Sequence, residues 1–149
     1  LSHLACRGMT RVDFHFNAPD RLDYGCRLVR KIHRSGARIL VWCEDAVALA
    51  RFDELLWTFS DADFIPHVVA SDALAGETPV LLAAEPIDTP HHEVLVNLGR
   101  QTPPMFSRFD RLIEVVSGDD TDRTLARERW RFYKERGYPL NAHDLARAA

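Results

Sequence analysis

Four cations and an indole fall on one face of a helix predicted over Thr121 to Arg136. At about 100° per residue, Trp130, Arg123, Lys134, Arg127 and Arg131 share roughly a 100° arc. Arginine can grip a carboxylate through two parallel hydrogen bonds, and an indole offers a flat apolar surface beside it. That arc therefore reads as a surface for a ligand both acidic and apolar. A solvated basic helix with incidental aromatics is the plainer reading of the same residues. Arg129 and Arg136 fall on the face that Leu125, Phe132 and Tyr133 should bury, so the helix is not cleanly amphipathic. Three readings fit: those arginines snorkel, they pair with acids such as Asp122, or the core face is only partly covered.

A second tryptophan behaves similarly. The helix predicted from Glu44-Asp45 to about Phe59 has its apolar stripe at Leu49, Phe52, Leu56 and Phe59. Trp57 lies roughly 130° from the centre of that stripe, so it faces outward or packs under a neighbouring loop. Two off-core tryptophans with a row of Arg and Lys have the composition of a protein-recognition hot spot. The ligand expected is a short peptide with acidic residues and an aromatic or C-terminal carboxylate.

Catalytic chemistry finds little support. Glu44 and Asp45 follow the second predicted strand, where a ribose-binding acid would stand in a nucleotide fold. The first strand-to-helix turn, Phe16-Asn17-Ala18-Pro19-Asp20-Arg21, has neither Rossmann glycines nor a P-loop. A helix-capping role for those acids is favoured, with a degenerate nucleotide-binding enzyme as the alternative. His91-His92 read as loop residues rather than metal ligands, and His15 and His67 as structural histidines. Ser35, Ser60 and Ser117 sit at element ends, where turn duty is expected. No cofactor is called for.

The elements that must position these residues alternate. Strands are expected at Val12–Phe16, Arg38–Cys43, Phe64–Ala70, Pro79–Ala84, Glu93–Leu98 and Arg111–Val116. A helix opening at Ala18-Pro19-Asp20 buries Leu22, Cys26, Val29 and Ile32 and ends at Ser35-Gly36. A short helical turn follows Pro103-Pro104. The pattern implies a three-layer α/β fold, a Rossmann-like and largely parallel sheet flanked by helices without a phosphate-binding loop. Residues 1–8 are expected to be an N-terminal extension and 9–149 a single domain.

Charge narrows the partner. Residues 121–139 hold six Lys/Arg against three Asp/Glu, a surplus of three, which leaves −6 for the rest of a chain of net charge −3. A grip on long nucleic acid calls for a wider basic area, whereas one basic patch on an acidic body suits a short acidic ligand. Cys6, Cys26 and Cys43 match neither a disulfide framework nor a zinc pattern, and read as free thiols in a reducing cytoplasm. No run of apolar residues is long enough for a membrane span.

Several blocks together resemble a known family. Leu125-Ala126-Arg127-Glu128-Arg129-Trp130-Arg131-Phe132-Tyr133 with Gly137-Tyr138-Pro139-Leu140-Asn141 is similar to the C-terminal signature of bacterial DNA polymerase III chi subunits. Gly36–Val41 leading into Cys43-Glu44-Asp45, Phe52–Trp57, and Phe64-Ile65-Pro66-His67 fit the same family in the same order. The segment Gly99–Phe109 and the turn Ser117–Asp120 depart from its pattern. The resemblance implies a non-enzymatic α/β subunit of the clamp-loader assembly. Such a subunit pairs with the psi subunit and binds the acidic, phenylalanine-ended C-terminal tail of single-stranded-DNA-binding protein, its contact with DNA being indirect. It assigns the tail site to Arg127, Arg123, Trp130, Arg131 and Trp57, and psi binding to the surroundings of Phe64, Pro66 and His67. The resulting expectation places the tail's phenyl ring in one niche near both Trp57 and Trp130.

Overall fold

The computed structural model describes residues 9–58 and 64–147. In chain order the elements are β1 (Arg11–Ala18), α1 (Arg21–Arg34), β2 (Ile39–Trp42), α2 (Ala46–Thr58), β3 (His67–Val69), β4 (Val80–Ala83), β5 (Val94–Asn97), β6 (Arg111–Ser117), α3 (Asp120–Glu135) and β7 (Leu140–Asp144). Single 3-10 turns occupy Ala75–Glu77 and Phe106–Arg108. The strands form one seven-stranded sheet in the order β3-β4-β2-β5-β6-β1-β7. Every pairing is parallel.

Central strands of such a sheet are covered on both faces, and their sequences are continuously apolar for that reason. All four residues of Ile-Leu-Val-Trp in β2 and of Val-Leu-Leu-Ala in β4 are buried. Alternate side chains of these strands feed two cores. On one face Val41, Val80, Leu82 and Val96 meet Cys26 and Val29 of α1 and Leu49, Phe52 and Leu56 of α2. On the other, Leu40, Leu81, Leu95 and Phe14 meet Ala126 and Tyr133 of α3, with Met105, Phe106 and Phe109 filling the rest. Cys26 and Cys43 are buried free thiols, and burial pushes both up, Cys26 to about 12.

The expected helices and the three layers are present, with two differences along the chain. The strand expected over Phe64–Ala70 is ordered as strand only at His67–Val69, and β7 is an additional edge strand paired to β1. Phe59, Ser60, Cys6 and the expected N-terminal extension lie outside the described residues.

Besides its apolar contacts, α3 docks through buried polar groups. Its buried stripe is Asp122, Ala126, Arg129 and Tyr133, spaced to face the sheet once per turn. Arg129 Nε donates to Glu114 Oε1 at 3.1 Å, and Tyr133 Oη donates to Glu114 Oε2 at 2.6 Å. Asn97 Nδ2 donates to Glu114 Oε1 at 2.8 Å, and Arg129 also reaches the Arg100 carbonyl at 2.6 Å. Glu114 is wholly buried on β6, and burial pushes its carboxyl above the usual range while Arg129, Tyr133 and Asn97 favour its charged form. Arg129 thus pairs with Glu114 rather than Asp122, and Arg136 lies over the Phe132 ring at 4.0 Å.

On the α1 side of β1, His15 is packed between Tyr24 and His143. Its Nδ1 lies 2.6 Å from Tyr24 Oη, and its ring is 4.9 Å from that of His143. Burial, reinforced by His143, lowers its pKa to about 4. The folded state therefore holds His15 neutral where the unfolded chain would protonate it.

Two outcomes follow from this packing. Glu114→Ala leaves a buried guanidinium unpaired and should lower unfolding free energy by about 3–5 kcal/mol, read from urea midpoints. A loss below about 1 kcal/mol would contradict the role given to Glu114. For His15, whose folded pKa lies below the unfolded value, stability should be undiminished above about pH 6.5 and fall as pH drops toward about 4. His15→Gln should remove that part of the slope, compared with wild type at about pH 7 and about pH 5. Equal slopes in both proteins would show that His15 is free to protonate in the fold.

Candidate functional site

The outward face of α3 borders a cleft of about 340 Å³. Its floor is Phe14 and Phe16 of β1, Val116 of β6 and Ala126. Trp130 forms one wall, its ring 5.2 Å from Phe14 in an edge-to-face arrangement. Arg123 and Arg127 stand on the rim above it, and Ala142 of β7 closes the far side. Arg131 and Lys134 are exposed further along the same helix face. Among the described residues none of Arg123, Arg127, Arg131 and Lys134 has a hydrogen-bonding or ion-pair partner. The buried charges of α3 are committed: Arg129 to Glu114, and Asp122 to Arg100 and Arg21 at 2.5 and 3.3 Å. Four free cations beside an aromatic floor can take a carboxylate and an apolar side chain together.

Trp57 does not line this cleft. It projects from α2 on the opposite face of the sheet, toward the β3–β4 edge. Its ring is half exposed and stacks 5.4 Å from Phe64, which is 69% exposed, and 4.1 Å from His67. One niche lined by both tryptophans is therefore not formed. The helical wheel placed Trp57 outward on its own helix, which holds, but not on which side of the sheet that helix lies. Trp57 joins instead the Phe64, Pro66 and His67 group. Within that group only Phe64 is freely exposed: His67 is buried, its Nδ1 donating to the Ile65 carbonyl at 2.7 Å and its Nε2 2.8 Å from Asp53.

The carboxyl ends of the strands, where open α/β sheets bind nucleotides, are filled by the chain's own acids. Asp20 caps α1 by accepting from the Leu22 and Asp23 amides, the groups a phosphate would need. Asp45 accepts from Val47 and Ala48 at the start of α2. Glu44 accepts from the Arg100 and Gln101 amides at 2.9 and 3.3 Å. That approach is possible because Gly99 has no side chain, as a Cβ there would meet Glu44 Oε1 at 2.1 Å. His91 is buried with Nε2 donating to the Thr78 carbonyl at 2.6 Å. Among the described residues no group of three or more His, Cys, Asp or Glu could hold a metal ion, and no helix is long and apolar enough to cross a membrane.

Phe14, Phe16 and Ala142 are cleft residues that the sequence reading did not single out. The period-two run Val12–Phe16 carried a signal, since it puts both phenylalanines on one face of a strand. Ala142 carried none, because β7 itself was not foreseen.

Comparison with known proteins identifies one family across nearly the whole chain. Residues 9–141 match the family described as DNA polymerase III chi subunit, HolC. The chain is 36% identical over 143 residues to the DNA polymerase III subunit chi of Pseudomonas aeruginosa, covering 93% of this chain and 99% of that one. Identity to the subunit chi of Escherichia coli is 31% over 117 residues, or 78% of this chain and 80% of that one. With the Haemophilus influenzae subunit chi it is 28% over 124 residues, or 83% and 86%. On these matches the chain belongs to the family of DNA polymerase III chi subunits.

Proposed function

We propose that this polymerase III subunit is a non-catalytic adaptor of the clamp-loader assembly in the cytoplasm. It bridges the psi subunit to the acidic C-terminal tail of single-stranded-DNA-binding protein, with no cofactor and only indirect contact with DNA. The observation that carries the reading is the α3 cleft, where unpartnered Arg123 and Arg127 stand over Phe14, Phe16 and Trp130. The tail's terminal carboxylate takes Arg127, its phenyl ring takes the aromatic floor, and its aspartates lie along Arg123 and Arg131. A cleft of this size with exposed charges supports roughly micromolar affinity that weakens with salt.

Psi is assigned to the other face. Trp57 and Phe64 form a paired, exposed aromatic surface there, stacked over the fixed His67 ring. Exposed aromatics in contact with one another are the usual anchors of a protein interface. Psi and the tail can then bind at once, because the sheet lies between their sites.

Titration of a fluorescent acidic peptide ending in Ile-Pro-Phe should give salt-sensitive binding. Arg127→Ala should weaken it by about 2 kcal/mol, roughly thirtyfold, and wild-type affinity in that variant would sink the assignment. Replacing Trp57 and Phe64 by serine should abolish capture of psi while changing tail affinity by less than about twofold, since both are exposed and distant from the cleft. Loss of both activities together would argue for one shared surface.

A further inference from the structure

Among the described residues no strand pairs with the outer side of the edge strand β7. It pairs only with β1, and the Pro139 carbonyl and Leu145 amide are bonded to β1 through Val12 and Phe16. In a parallel pair alternate residues face the neighbour, so Asn141 and His143 point inward with them. Leu140, Ala142 and Asp144 then turn their amides outward. Asn141, Ala142 and His143 are exposed, and among β7's five residues there is no Lys, Arg or Pro to discourage pairing. The opposite edge is protected differently, by the brevity of three-residue β3.

Clefts flank this edge on both faces. On the α3 side is the aromatic cleft with Arg123 and Arg127. On the α1 side is a wider one of about 840 Å³, lined by Lys31, Arg111 and Arg147 together with His15, Tyr24 and His143. Phe16 and Ala142 line both, so the two clefts meet at β7. In the second cleft Arg111 is held by Asp13 at 2.7 Å, Arg147 lies 3.9 Å from Asp144, and Lys31 has no partner among the described residues. Both clefts therefore present free positive charge to whatever lies along the edge between them.

We propose that β7 is the acceptor edge for an extended acidic peptide, which adds as an eighth strand and sends alternate side chains into the two clefts. An added strand gains main-chain hydrogen bonds from the edge and specificity from the side chains that alternate across it. The five residues of β7 match about five extended residues of ligand, or roughly 16 Å. Cations on both faces select acids in both side-chain phases, which a helical or compact peptide could not present along one line. The inference rests on the tail-binding reading above and assigns it a backbone geometry and a second, Lys31-bearing subsite.

The test is a scan of the same acidic peptide with single N-methyl groups at successive positions, titrated against wild-type protein. N-methylation at alternate residues of the segment should weaken binding at least tenfold, with the intervening positions within about twofold. Ala142→Pro, which removes one outward amide and no β1 bond, should weaken the unmethylated peptide comparably while leaving the unfolding midpoint nearly unchanged. Lys31→Glu should weaken binding less. Uniform tolerance of N-methylation with binding still dependent on Arg127 would overturn the added strand alone. Absence of any Arg127-dependent binding would overturn both readings. Dimerisation of the wild type that is lost in Ala142→Pro would assign the edge to a second copy instead.

Discussion

A buried carboxylate governs how this molecule presents itself. Glu114 is wholly enclosed on β6, where burial opposes its charge and Arg129, Tyr133 and Asn97 favour it. Two of those three partners belong to α3, so the ion pair fixes the rotation of the helix about its own axis as well as its position. Asp122, two stripe positions before Arg129, is tied to Arg21 and Arg100. Burial opposes its charge, but the Ser117 hydroxyl and the two guanidiniums outweigh that and hold its carboxyl below the usual range. With Asp122, Arg129 and Tyr133 turned inward, helical geometry leaves Arg123, Arg127, Trp130 and Arg131 facing out. The free cations are exposed because the committed ones are buried.

Topology separates the surfaces. Parallel strands joined through a helix cross over right-handedly, so the direction of travel along the sheet decides which face the helix covers. From β1 to β2 and from β2 to β3 the chain moves toward the β3 edge, which puts α1 and α2 on one face. From β6 to β7 it moves the opposite way, which puts α3 on the other. The reversal leaves the aromatic surface of α2 and that of α3 on opposite faces of the sheet.

The same reversal explains where reading the sequence stopped. Continuous apolar runs such as Ile39–Val41 and Val94–Val96 show buried parallel strands directly, and the helices follow from period and caps. The outward direction of Trp57 and of the α3 cations is a local property of each helix, and it was legible. Their separation was not, because it depends on strand order, and a helical wheel carries no information about which side of a sheet its helix covers. The Glu114–Arg129 pair was hidden for a related reason: its partners are 15 residues apart and meet only through the sheet. Arg129 therefore looked like a blemish on an apolar stripe. Strand β7 escaped notice because Leu-Asn-Ala-His-Asp lies at an edge, half solvated, where no apolar alternation is demanded.

A Rossmann-like sheet has to dispose of the polar groups at the carboxyl ends of its strands. Here they are tied to one another. Asp20 takes the first amides of α1, and Glu44 takes those of Arg100 and Gln101. Arg21 donates to the Leu98 carbonyl at 2.7 Å while pairing with Asp122, which in turn holds Arg100. These contacts link the segments following β1, β2, β5 and β6 into one closed ionic layer. An incoming phosphate would have to displace a carboxylate at each of the amides it needs, leaving Arg21 and Arg100 to find new partners. The crest is thus spent on stability. On the flanks, by contrast, the outward face of α3 and the β7 edge keep charge and hydrogen-bonding groups that the described fold does not itself use.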